Sequence, residues 1–256
     1  MHRLKALAAT ILALLLAGVC MLSAAEEAEP AETGLEQFIV RHGNPASNKI
    51  AITMDDCNTL EIVWNTVELC RQYGITMTFF PNGQNLHEED RAHWQDLLDA
   101  GCEIGSHGED HWALKQADRV TPELMTFQQH LDETLGYHYQ VRWFRPPYGD
   151  LGEAEGNISY VMYRIKQCGY DHALRWNVSY MWDAEVTLSM TRNGSILLFH
   201  AADADFTCIR DLIPMLLEAG FEPVTVSELF GFDPPETSDE IFVYDRRTFT
   251  YPRPNP

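Results

Sequence analysis

The sequence predicts an α/β protein, a distorted (β/α) barrel with about seven parallel strands. Three observations carry that expectation. Short apolar runs of buried-strand character alternate with stretches of helical period, the pattern of a parallel sheet joined by crossover helices. They fall within about 180 residues, which suits one closed or nearly closed barrel better than two domains. The residues just after several runs are polar and titratable, and barrel enzymes place their chemistry at that end of the strands.

The first run, Ile50-Ala51-Ile52-Thr53-Met54, leads into residues 59–73, where Ile62, Val63, Val67 and Leu69 recur at helical spacing before Gly74. The second, Thr76-Met77-Thr78-Phe79-Phe80, precedes a helix near residues 89–100, and the third is Glu103-Ile104-Gly105-Ser106. A helix over residues 122–135 follows, with Thr121 as its expected N-cap and Pro122 at its first position. Val141-Arg142-Trp143-Phe144 is the fourth run. A helix ending near Cys168-Gly169 leads to the fifth, His172 to Trp176. Ile196-Leu197-Leu198-Phe199 and Pro223-Val224-Thr225-Val226 flank a last helix over residues 208–219. Residues 48–231 are therefore the expected catalytic domain, residues 26–47 a leader, and residues 232–256 a tail rich in proline and charge that wraps the surface.

Residues 1–25 read as a signal peptide. Arg3 and Lys5 form a positive start, residues 6–19 are apolar, and Ser23-Ala24-Ala25 has the small-x-small pattern of a cleavage site. The expected location is secreted or extracytoplasmic, with membrane attachment only through an uncleaved signal or a lipid on Cys20. Cleavage leaves 16 cations against 38 acids, a net charge of −22. Nucleic acid is excluded as a partner on that balance, because phosphate binding needs a basic footprint. Cys57, Cys70, Cys102, Cys168 and Cys208 remain, with no short CxxC spacing, so a metal must use other ligands.

The first run ends in Asp55-Asp56, the third in His107 with His111 four residues on, the fourth in Arg145 and the sixth in His200. An Asp and two His that leave one coordination position open are a common ligand set for a hydrolytic metal, so Asp56, His107 and His111 are the candidate ligands. Their i, i+4 spacing predicts that one helical turn presents both histidines. Singly, each residue has a plainer role: paired aspartates cap helices, and a lone histidine is commonly a satisfied core-edge group. Their joint appearance at successive strand ends points to a site.

These segments resemble the polysaccharide deacetylase family, the NodB-homology domain of carbohydrate esterases. Thr53-Met54-Asp55-Asp56 resembles its T-F-D-D opening, and Glu103 to His111 resembles its E-I-G-x-H-S-x-x-H segment. Phe144-Arg145-Pro146-Pro147-Tyr148-Gly149 matches F-R-P-P-Y-G without a change, and Ile196 to His200 matches the late L-x-H segment. The resemblance implies hydrolytic removal of acetyl groups from a glycan, an acetylated polysaccharide or oligosaccharide being the partner. One divalent metal ion, zinc, is the implied cofactor on Asp56, His107 and His111. Asp55 would be the general base, held by Arg145, and His200 the acid that protonates the departing group; the Tyr148 backbone N–H would help stabilise the oxyanion. Of the aromatics near the strand ends, whose apolar faces suit pyranose C–H surfaces, Tyr148 and Trp182 are the expected substrate-binding residues.

Three departures stand out. Ser179 occupies the place of the aspartate that normally pairs with the catalytic histidine, which predicts a lower pKa for His200 unless Asp183 or Asp203 substitutes. Such a loss would favour a rival reading, a metal-containing glycan-binding domain without turnover. Cys57 stands where the family has glycine, and Gly108 replaces a serine, losing a local hydroxyl hydrogen bond.

Overall fold

The computed structural model describes residues 38–248 apart from 116–117 and 180–181, so the expected signal peptide, most of the leader and the end of the tail lie outside the described residues. Its strands are β1 (Ile39–Val40), β2 (Lys49–Asp56), β3 (Thr78–Pro81), β4 (Glu103–Ile104), β5 (His138–Tyr139), β6 (Trp143–Phe144), β7 (His172–Leu174), β8 (Ile196–His200), β9 (Glu222–Val224) and β10 (Thr237–Ser238). Its helices are α1 (Leu60–Tyr73), α2 (Arg91–Asp99), α3 (Val120–Leu135), α4 (Ile158–Gln167), α5 (Ala184–Met190), α6 (Asp203–Glu218) and α7 (Val226–Phe230).

All seven expected runs contain strands, and all are parallel. One sheet has the order β4-β3-β2-β8, with β9 paired to the start of β2; a second has the order β1-β7-β6. Isolated parallel bridges carry the strands round the barrel: Ser106, just past β4, pairs with Phe144 of β6, and Val178, in the segment after β7, pairs with Leu197 of β8. The expected α/β barrel is therefore the observed fold. An eighth parallel strand, β1, comes from the segment read as a leader and pairs Ile39 with Ala173 and Val40 with Leu174. From the expected tail, β10 adds antiparallel to β5, and Phe232 packs on Trp143.

Burial explains the strand composition. Residues 50 to 55 of β2 are all buried, as in a parallel sheet covered on both faces. Alternation sends Ala51, Thr53 and Asp55 to one side, where Ala51 joins a core of Phe80, Trp143, Leu174, Ile196 and Val224. At the N-terminal end, buried Glu103 accepts hydrogen bonds from the Thr78 hydroxyl and from the Ser227 backbone and hydroxyl, while Trp143 Nε1 donates to Ser227 Oγ at 2.9 Å. That network ties α7 across the barrel floor.

Several boundaries differ from expectation. Helix α3 starts at Val120, so Thr121 and Pro122 lie inside its first turn; proline is tolerated there because the first amides have no intrahelical acceptor. Helix α6 begins at Asp203, five residues before the expected start. The last strand stops at Val224, because Thr225 instead caps α7 by accepting the Glu228 amide at 3.1 Å. No helix among the described residues is long and apolar enough to cross a membrane.

Candidate active site

The end of β2 and the loop after β4 bring Asp56, His107 and His111 together, their ligand atoms all within 4.8 Å of one another. His107 Nε2 and His111 Nε2 lie 3.6 Å and 3.4 Å from Asp56 Oδ1. Two ligands at ~2.1 Å from a tetrahedral zinc would stand about 3.4 Å apart, so the residues fit a single divalent cation. The hydrogen bonds favour the same use. His107 Nδ1 lies 2.7 Å from the Arg145 carbonyl, which can only accept, so Nδ1 carries the proton and Nε2 keeps its lone pair. Burial lowers the pKa of His107 and keeps the ring neutral, as a ligand must be. Asn82 and Asn85 donate to the Asp56 carboxylate and carbonyl and hold it from β3's side.

The two histidines do not share a helical turn. Residues 107–111 form a loop with positive φ at Gly108 and at His111, 80° and 58°. Glu123 of α3 fixes it by accepting the Glu109 and Asp110 amides, each at 3.0 Å. Ser106 Oγ accepts the Gly108 amide at 3.2 Å, so a hydroxyl on the other side of His107 supplies a bond that the Gly108 position itself lacks.

Asp55, 2% exposed, accepts from Arg145 NH1 at 2.8 Å through Oδ1, and its Oδ2 lies 3.8 Å from His107 Nε2. Arg145 is fully buried, stacks 4.4 Å over Phe80 and donates to Thr53 Oγ1 at 2.6 Å. Asp55 is its ion-pair partner among the described residues, and that pairing opposes the downward push of burial on the guanidinium. Asp55 and Arg145 are thus one desolvated unit.

His200, the register neighbour of Asp55 across β2 and β8, has a carboxylate partner after all. Asp205, buried in the first turn of α6, places Oδ2 3.4 Å from His200 Nδ1 and accepts the His200 backbone amide at 2.6 Å. Asp205 raises the pKa of His200, outweighing burial. The expected deficit from Ser179 is therefore corrected, and neither alternative named from the sequence fills the role: Asp183 caps α5 through the Val186 amide, while Asp205 rather than Asp203 reaches the ring. A proton donor must be protonated to act, so raising its pKa extends activity to higher pH. Asp205→Asn should move the alkaline limb of the pH–rate profile to lower pH, and Ser179→Asp should leave it in place. Superimposable limbs for wild type and Asp205→Asn would show that Asp205 does not tune the donor.

Tyr148 stands at the triad, 72% exposed, with its ring edge-on to His111 at 4.6 Å between centroids. Trp182, 75% exposed, precedes the cap of α5. Among the described residues, four non-glycine residues have positive φ: Asp56, Cys57, His111 and Tyr148. Such backbone costs ~1–3 kcal/mol per residue and gathers at functional sites; here all four lie at the triad or next to it. Cys57 takes the glycine-type conformation at φ 51° with its thiol buried.

The chain matches the family described as polysaccharide deacetylase over residues 42–173, just over half its length. It is 26% identical to a bifunctional xylanase/deacetylase of Pseudobutyrivibrio xylanivorans over 71% of this chain, although it spans only 30% of that protein. It is 27% identical to a peptidoglycan-N-acetylglucosamine deacetylase of Bacillus cereus, covering 72% of this chain and 88% of the relative. Among solved structures, a peptidoglycan N-acetylglucosamine deacetylase superposes with a TM-score of 0.68 at 21% identity, covering 81% of this chain and all of the other. On the family match, the chain belongs to the polysaccharide deacetylase family.

Proposed function

We propose that the protein is a metal-dependent hydrolase that removes acetyl groups, chiefly N-acetyl of N-acetylglucosamine-type units, from an extracytoplasmic polysaccharide or oligosaccharide. The observation that carries this reading is the buried Asp55–Arg145 pair set against the Asp56, His107 and His111 triad. The cation, proposed as zinc, would polarise the acetyl carbonyl and acidify a coordinated water.

The chain's own residues do the rest. Asp55 takes a proton from the attacking water, and Arg145 keeps its carboxylate aimed through a charge-assisted bond. The Tyr148 amide is assigned to the developing oxyanion, beside His111. As the C–N bond breaks, His200 gives its proton to the nitrogen, and Asp205 stabilises the charged ring beforehand. Acetate and a free amine result. The relatives act on peptidoglycan or are named for xylanase and deacetylase activity, which supports a cell-wall glycan as substrate. The test is acetate release from acetylated chitooligosaccharides, peptidoglycan fragments and acetylxylan. Release from at least one is expected; none from any would overturn the reading.

A further inference from the structure

The parallel register of β1 and β7 has a consequence at the catalytic rim. Val40 pairs with Leu174, and the Arg175 amide donates to the Val40 carbonyl at 2.8 Å, so the next residues along the two strands, Arg41 and Arg175, emerge side by side. Like charges in facing positions of a sheet are destabilising. The chain has only 18 cations against 38 acids, yet two guanidinium groups share this strand end. Burial and the neighbouring Arg175 together lower the pKa of Arg41. Glu153 compensates in part, pairing with Arg175 through NH2, but Arg175 is mostly buried and its Nε has no hydrogen-bond partner among the described residues. Among the described residues, one carboxylate, Glu153, acts on both arginines, which leaves a positive excess.

That excess lines a cleft. Arg41, Arg175, Tyr148, Gly149 and Trp176 surround about 350 Å³, on the scale of small-ligand sites. Trp176 is partly buried and gives an aromatic wall of the kind that stacks on pyranose C–H faces. Gly149, at φ 67°, brings its backbone against the Trp176 ring; a Cβ there would stand 3.1 Å from it. Tyr148 lines this cleft and its ring meets His111 of the triad, so the cleft opens beside the reacting centre.

We propose that this cleft is a subsite for a sugar residue bearing a carboxylate, adjacent to the residue that is deacetylated, with Arg41 and Arg175 holding the carboxylate and Trp176 stacking on the ring. The inference rests on the deacetylase reading and sharpens it: the preferred substrate is an acidic glycan. The carboxylate can belong to a lactyl ether, as on a muramic-type residue, or to a uronic acid branch, and the chemistry of recognition is the same for both.

The test compares wild type with Arg41→Ala and Arg41→Lys on three acetylated oligosaccharides: a neutral chitotetraose, a glucosamine–muramic oligosaccharide and a glucuronoxylan fragment. Arg41 is exposed, so its removal spares the core. Loss of a hydrogen bond to a charged group corresponds to roughly a tenfold to hundredfold change. Arg41→Ala should therefore lower the acidic-to-neutral ratio of kcat/KM by about 10-fold or more through KM, and Arg41→Lys should restore part of it. The acidic substrate affected identifies the source of the carboxylate. Equilibrium binding of the same oligosaccharides needs no turnover and separates the two readings. An Arg41-dependent preference for an acidic ligand supports the subsite even where no acetate is released. Equal affinities for neutral and acidic ligands, or a preference that Arg41→Ala does not alter, overturn it even in an active enzyme.

Discussion

Asp55→Asn is expected to reduce turnover by ~10² to 10⁴, the usual contribution of a general base, while the cation stays bound. The amide cannot take a proton from the attacking water, but Asp56, His107 and His111 are untouched. The same substitution should also be costly to the fold. Asp55 and Arg145 are both almost entirely removed from solvent, and breaking a buried pair by neutralising one partner leaves the other charge uncompensated, at about 3–5 kcal/mol. Rates should be measured well below the variant's unfolding temperature, with bound metal quantified in the same preparation. Turnover within a few fold of wild type would exclude Asp55 as the base.

Loss of a ligand should be at least as severe and should differ in kind. The purified protein is expected to hold about one divalent cation per chain, and His107→Ala or His111→Ala to hold little, with turnover falling in parallel. Chelation should abolish activity reversibly in wild type. The two histidines are expected to differ in rescue by excess metal. His107 is buried and oriented by the Arg145 carbonyl, whereas His111 is partly exposed on a loop. His111→Ala should recover more activity at high metal concentration. Elemental analysis showing equal metal in wild type and both variants would remove the triad from the assignment.

Much of this architecture can be read along the chain, because buried parallel strands are apolar runs and carry their own signal. The end of β2 shows the limit of that reading. Alternation alone would send Asp55 and Asp56 to opposite faces, but the backbone leaves the strand at Asp56, φ 63°, and both carboxylates come within 4 Å of His107 Nε2. Two-residue β1 has no periodicity to detect; only its partner β7 makes it a strand. Asp205 was hidden for another reason. The sequence shows three aspartates near the late histidine and tryptophan segments, and only the first turn of α6 decides which one faces His200. Asn82, Asn85 and Glu123 likewise act through contacts made across 13 or more residues, with no local pattern to announce them.

The ring of strands also imposes an order on the chain as it is made. Asp56, His107 and His111 all lie within the first half of the described chain, on β2 and just beyond β4, and need only β3 between them. His200 arrives last, on β8, the strand that pairs Asp55 with His200 and whose Leu197 meets Val178 to shut the barrel. Pairing across ~140 residues carries a large loop-closure cost and is slow compared with neighbouring contacts. A nascent chain can therefore bring Asp56, His107 and His111 together well before His200 is in place, and closure of the barrel and placement of the proposed acid are one event.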